Sequence, residues 1–232
     1  MATHGKKYKT AIENLGEQKK MSVEAAIAEA KKLSYVKFDE SVGIDINLGI
    51  DAGKSDQAVR GAVMYPHGLG KKVRVLVFAK GEHADAAREA GADYVGAEDL
   101  IEKIKGGWME FDATVATPDM MAAAGKLARI LGPRGLLPNK KTGTVTFEVA
   151  GIVSELKKGK TFFKNDRTGL LHVPIGKLSF EGQKLCDNFH ALMKSVIASR
   201  PASSKGRFVK KVTLSSTMGP GIGIELEDTF KV

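Results

Sequence analysis

Three glycine-rich stretches carry residue types that could cradle a phosphate. The first, "GIDAGKS" (Gly49 to Ser55), has the glycines, lysine and hydroxyl of a P-loop. That loop needs four residues between its glycines, so that successive backbone N–H groups wrap the anion. Here three intervene between Gly49 and Gly53, and Asp51 puts a negative charge inside the cradle. The second, Gly159-Lys160-Thr161, has Ser154 where the first glycine belongs and follows a helical pattern instead of a strand. The third lies in "VTLSSTMGPGIGIEL". A dinucleotide fingerprint there would need its third glycine at Ile224, and a helix to aim amides at the pyrophosphate. "GIGIELE" alternates like a strand instead.

Other catalytic constellations fare no better. His4, His67, His83, His172 and His190 are scattered, and C-x-x-C, H-E-x-x-H and G-x-S-x-G are missing from the sequence. The single cysteine, Cys186, sits beside Leu185 and Phe189 in a helical pattern and reads as a core thiol. One cysteine without a partner fits a reducing, cytoplasmic compartment. The residues therefore argue against an enzyme and imply neither cofactor nor metal. An enzyme using a nucleotide on the central segment stands as the rival.

The elements that must position any site follow from periodicity. Residues 22–33 read as a helix with Ser22 as N-cap, and Ala26, Ile27, Ala30 and Leu33 as its stripe. In "FDESVGIDINLGI", Phe38, Val42, Ile44, Ile46, Leu48 and Ile50 share one parity, the mark of a half-buried strand. From Val73 the rhythm changes to strand, helix, short strand, helix, strand, predicting a small parallel sheet flanked by helices. Thr117 and Pro118 open a helix running to Gly132, followed by the irregular "GPRGLLPNKKTG". "TVTFEV" reads as strand-like, shading into a helix that ends near Gly159. Beyond it, "TFFK" and "GLLHVPIG" predict a hairpin turning at 165–169. A long helix over 179–200 and strands over 206–216 and 221–227 complete the chain.

The chain has 232 residues and a formal net charge of +9. Such an excess points to a polyanionic partner, either nucleic acid or an acidic membrane surface. The basic N-terminus lacks the apolar stretch of a signal peptide, and no run approaches the roughly 18 apolar residues of a membrane span. These patterns predict an α/β protein of two domains. The outer, discontinuous α+β domain comprises 1–67 and 160–232. A Rossmann-like, three-layer α/β domain is inserted at 68–159. The crossings carry Gly68, Gly70 and Gly159, as a paired hinge would. Charge supports the division: the inserted part is nearly balanced, and the excess lies in the outer parts, mostly after residue 160.

Three pieces of the outer domain mix cations, small hydroxyls and backbone: Lys37 to Ser41, Lys164 to Gly169, and Ser216 to Gly219. RNA recognition favours this mixture, with cations on phosphates, hydroxyls on 2′-hydroxyls and apolar groups on sugars or bases. Singly, each piece also reads as ordinary structure, with Phe38 as core and the 165–169 stretch as a plain turn. Binding by charge alone, as in a general RNA chaperone, is a further alternative.

Taken together, "FDESVGIDINLGID", "GWMEFDATVATPDMM", "RILGPRGLLPNKKTGTV", "FFKNDRTGLLHVPIGKLSF" and "TLSSTMGPGIGI" resemble the bacterial form of the large-subunit ribosomal protein L one family. The resemblance runs from about His4 to the last strand. It implies a discontinuous outer domain bound to a stalk region of large-subunit rRNA, and deacylated tRNA leaving the E site past that stalk. It also implies repression of translation through the messenger RNA of the protein's own operon, and a single copy in each cytoplasmic ribosome. The family's RNA-contacting positions carry over as Lys37, Phe38, Ser41, Lys164, Asp166, Thr168, His172, Thr217, Met218 and Gly219. In the roles this implies, Thr217 offers a hydroxyl to a ribose, Met218 an adaptable apolar surface, Gly219 a backbone without a Cβ in the way of RNA, and Pro220 fixes the turn that presents them. Arg134, Lys140 and Lys141 in the irregular segment face either tRNA, neighbouring rRNA or solvent.

Overall fold

The computed structural model describes residues 5–16, 20–204 and 206–225. His4 and the end of the expected last strand lie outside the described residues. The chain divides into two compact units, 1–70 with 162–232, and 71–161.

The outer unit is built on a four-stranded antiparallel sheet. It holds β1 (Ser41–Leu48), β7 (Leu170–Lys177), β8 (Val209–Ser216) and β9 (Ile222–Ile224) in the order β7-β1-β8-β9. The alternation read in the sequence sets its two faces. Val42, Ile44, Ile46 and Leu48 are buried with Leu171, Val173, Val212 and Leu214. Two helices cover that face: α2 (Val23–Lys32) and α8 (Gly182–Ala198). Ser22 caps α2 as expected, accepting a hydrogen bond from the Ala25 amide. In α8, Leu185, Phe189, Leu192, Met193 and Val196 are buried, and Cys186 joins them. Burial pushes the Cys186 thiol up, away from the thiolate a nucleophile needs.

Two elements of this unit escaped the sequence reading. Helix α1 (Lys6–Leu15) buries Ala11 and Leu15, and strand β2 (Arg60–Met64) forms a separate ribbon with β6 (Lys160–Lys164). The ribbon corrects the expected hairpin. β6 and β7 follow one another but belong to different sheets. Asn165 explains the split: its amide donates to the Val59 carbonyl and its Oδ1 accepts from the Val59 amide. The chain is thereby held against the β2 side until it turns.

The second unit is a three-stranded parallel sheet, β3 (Val75–Phe78), β4 (Tyr94–Gly96) and β5 (Ala113–Ala116), in the order β4-β3-β5. Helices α3 (Glu82–Glu89) and α7 (Val149–Lys158) pack together; α4 (Glu98–Lys105) packs with α5 (Met121–Gly125). The four residues of β3 are all buried, as expected for a central parallel strand. Two expectations are corrected here. The helix over 117–132 is broken into a 3₁₀ turn at Pro118–Met120, α5, and α6 (Ala128–Leu131). Gly125, a poor helix former, ends α5, and the Thr117 hydroxyl reaches the Phe78 carbonyl instead of capping. "TVTFEV" contributes one bridge, Val145 to Ala116, and no strand.

Candidate RNA interface

The open face of the outer sheet is made of the other parity. Ser41, Gly43, Asp45 and Asn47 of β1 lie beside His172 and Pro174 of β7 and Lys211, Thr213 and Ser215 of β8. These side chains are small or polar, and several are exposed. Asp45 organises its centre: Oδ1 lies 2.6 Å from His172 Nδ1, and Oδ2 accepts from Ser215 Oγ at 3.4 Å. A Cβ on Gly43 would meet nothing closer than the Ser215 carbonyl oxygen at 4.0 Å. Packing inside the sheet therefore does not demand glycine there.

At one end of this face, the turn after β8 is clasped to the start of β1. Glu40 is the clasp, and sequence reasoning passed over it. Its carboxyl is 1 % exposed. It accepts from Ser34 Oγ at 2.7 Å, Ser216 Oγ at 3.1 Å and the Met218 amide at 2.8 Å. A buried carboxylate with three donors is satisfied, and it fixes the backbone that supplies them. Tyr35 adds a bond from its hydroxyl to the Met218 carbonyl, 2.8 Å. Thr217 Oγ1 accepts from the Ser41 amide at 3.0 Å and lies 3.3 Å from the Ser41 carbonyl.

These bonds change the roles given to the motif. The Thr217 hydroxyl is already used on Ser41, which leaves it one acceptor site for a ligand. Gly219 is needed by the turn itself, since a Cβ would stand 2.4 Å from Ser216 Oγ. That oxygen could swing aside only by giving up Glu40 and the Gly219 amide, which it accepts from at 3.1 Å. Gly221 likewise spares a contact at 3.0 Å with Thr213 of the neighbouring strand. What the turn presents outward is Met218, 48 % exposed. Lys37 and Phe38, exposed, lie on the stretch of chain between Tyr35 and Glu40, the two residues that bond the Met218 backbone. Phe38 is 56 % exposed and outside β1, so it is no core residue. A shallow hollow between Lys31, Phe38, Asp39 and Ser179 continues this end.

The remaining predicted residues lie elsewhere. His172 is on the open face, paired in register with Asp45. Asp166 and Thr168 lie just before β7, beside the far end of β1, roughly 20 Å from Ser41 at the usual rise per residue, and Lys164 ends β6 in the separate ribbon. The Asp166 carboxylate is turned onto its own loop, accepting from the Thr168 amide and hydroxyl and from the Leu170 amide. The Thr168 hydroxyl bond and these amides hold its carboxyl below the usual range. Asp166 and Thr168 thus shape the turn, and Lys164 is the exposed cation of this end. The structure gathers Lys37, Phe38, Ser41, Thr217, Met218 and Gly219, with His172 on the adjoining face, and sets the other three apart.

The glycines of the crossings all have left-handed backbone, with φ of 64° at Gly68, 69° at Gly70 and 114° at Gly159. Gly159 closes α7. Asn188, fully buried, was also missed in the sequence. It accepts from the His67 amide and donates to the Gly68 and Ile175 carbonyls, tying the first crossing to α8 and β7.

The phosphate loop tested in the sequence fails for physical reasons. Gly49 is glycine because a Cβ would lie 2.1 Å from the Arg207 carbonyl oxygen. The Gly53 amide is occupied by Asp51 Oδ1, and a single 3₁₀ turn follows in place of a helix. Among the described residues, no His, Cys, Asp and Glu group could hold a metal ion, and no helix is long and apolar enough to cross a membrane.

One face of the outer sheet is thus covered by helices, and the other carries small and polar side chains and ends in the turn held by Glu40. Residues 27–220 match the ribosomal protein L1p/L10e family. Over 232 residues the chain is 51 % identical to a protein of Solidesulfovibrio magneticus named large ribosomal subunit protein uL1, covering 100 % of this chain and 99 % of that one. A protein of the same name from Maridesulfovibrio salexigens is 52 % identical over 225 residues, covering 97 % of this chain and 96 % of its own. The chain belongs to the ribosomal protein L1p/L10e family, whose members are ribosomal proteins and not enzymes.

Proposed function

We propose that this protein is a structural component of the large ribosomal subunit, working in the cytoplasm, and that its outer domain binds a stalk region of large-subunit rRNA. The domains are 1–67 with 160–232, and 68–159. The contact surface is the Thr217 turn with Lys37, Phe38 and Ser41, extended over the open sheet face past His172. The observation that carries this reading is the Glu40 clasp. It holds Met218 and Thr217 in one geometry before any partner arrives, which lowers the ordering cost of binding.

The same surface would take a similar structure in the messenger RNA of the protein's own operon and so repress translation when rRNA is scarce. Through the rRNA stalk the protein would assist release of deacylated tRNA from the E site. Gly68, Gly70 and Gly159 would let the inserted domain move as that tRNA passes.

Binding of a stalk rRNA fragment by two variants tests the surface. Thr217→Val should weaken the specific complex by about 1–3 kcal/mol and leave binding to unrelated duplex RNA unchanged. Lys164→Ala should weaken both alike and reduce the salt slope by about one. Equal behaviour of the two variants would remove the distinction between a specific end and an electrostatic end.

A further inference from the structure

Asp45 is an acid in the middle of the open face of the outer sheet, where a negative charge repels the phosphates of RNA. Little in the fold calls for it there. Its carboxylate meets side chains of that same face, His172 Nδ1 at 2.6 Å and Ser215 Oγ at 3.4 Å. The Asp45–His172 pair is open to water, with side chains 40 % and 58 % exposed, and a pair so exposed adds little to folding.

Its effect on the imidazole is specific. A carboxylate only accepts hydrogen bonds, so the proton between the two groups sits on His172 Nδ1. Ser215 donates to the second carboxylate oxygen, so the acid is steadied from β8 while it holds the ring on β7. In the neutral ring Nε2 then keeps its lone pair, and no group among the described residues takes it. A histidine left to water favours the opposite tautomer, with the proton on Nε2. Asp45 thereby reverses what an exposed ring shows to a ligand, from a donor to an acceptor. His67 provides the contrast: it meets Asp187 through Nε2 at 2.9 Å, so its proton sits on Nε2.

We infer that Asp45 is a positioning residue for RNA recognition, which fixes His172 as the Nδ1–H tautomer so that Nε2 accepts a hydrogen bond from the docked RNA. The inference rests on the RNA-binding reading of the outer domain. Asp45 shares its face of β1 with Ser41, which bonds Thr217, so RNA seated at that turn and lying along the strand reaches the ring. The donors that RNA can offer Nε2 are a ribose 2′-hydroxyl or an exocyclic amino group of a base. Phosphate, which only accepts, is not matched by this nitrogen.

The test uses the full chain. Long-range proton–nitrogen NMR at pH 8, above the ordinary histidine value of about 6.5, reads the tautomer of each ring. His172 should carry its proton on Nδ1 and His67 on Nε2, and Asp45→Ala should move the first and leave the second. Affinity for a stalk rRNA fragment gives the functional reading. Asp45→Ala removes a negative charge, so charge alone predicts tighter binding. The positioning role predicts the opposite, a loss of about threefold to tenfold. Asp45→Asn removes the same charge but keeps an acceptor for Nδ1–H, and should recover most of that loss. In a His172→Ala background, Asp45→Ala should cost no more than about twofold. Fragments with single 2′-deoxy nucleotides, or with single bases lacking the exocyclic amino group, locate the donor: at one position wild type should lose affinity and Asp45→Ala should not. A hit in the first set assigns a ribose hydroxyl, and a hit in the second a base amine. A proton on Nε2 of His172 in wild type, an equal loss in the His172→Ala background, or no such position in either set overturns the inference. If the fragment fails to bind wild type, the outer-domain reading falls and takes this one with it. If wild type and Asp45→Ala bind alike, or Asp45→Ala binds more tightly, only this one falls.

Discussion

At the scale of single residues, the turn after β8 depends on an almost fully buried acid, Glu40. Glu40→Ala would leave the Met218 amide and two serine hydroxyls without their acceptor. It should cost about 1–3 kcal/mol in urea unfolding and weaken stalk-RNA binding with it. Glu40→Gln, which keeps an acceptor, should retain most of both. Thr217-Met218-Gly219 was legible in the sequence because motif and resemblance converge on it. The clasp was not legible, since Glu40 and Met218 are 178 residues apart and nothing local in "FDES" marks one acid as buried. Gly219 shows a second limit: sequence reveals that a side chain is missing, and only the neighbouring Ser216 oxygen shows why.

At the scale of elements, the two parities of β1 told which residues enter the core, and the structure agrees from Val42 to Leu48. The same alternation names the open face, where Gly43 is the informative position. Its missing side chain serves no contact within the sheet. Gly43→Ala should therefore hold or raise thermal stability, by up to about 0.5–1 kcal/mol. It should lower affinity for the stalk fragment severalfold, because a methyl group now stands on the docking face. A parallel loss of stability and affinity would mean that Gly43 serves the fold instead. Pairing was less legible than periodicity. The turn-rich 165–169 stretch signals a reversal but not which strand the chain leaves, and Asn165 decides that through Val59.

At the scale of the whole molecule, the change of rhythm at residue 73 and its return after Gly159 lead to the expectation of an insertion at 68–159; the compact units of the structure are 1–70 with 162–232, and 71–161. The second unit has its own acid sensitivity. The hydrogen bond from Lys71, helped by the Arg74 amide and side chain and opposed by burial, holds the Asp112 carboxyl below its usual range. A depressed folded-state value means the stabilisation is present above the unfolded value of about 3.9 and is lost as pH falls below it. Asp112→Asn should thus cost about 1 kcal/mol at pH 7, and the difference from wild type should shrink toward pH 3, as read by thermal unfolding.

The central claim is that a preformed surface, and not charge alone, recognises RNA. Its most direct test is the affinity of the full chain for a stalk rRNA fragment and for an unrelated RNA duplex of equal length, measured together over a range of salt. Specific recognition predicts a preference of about a thousandfold or more that survives at high salt. Nearly equal affinities that fall together and steeply with salt would contradict it and leave a basic protein binding by charge.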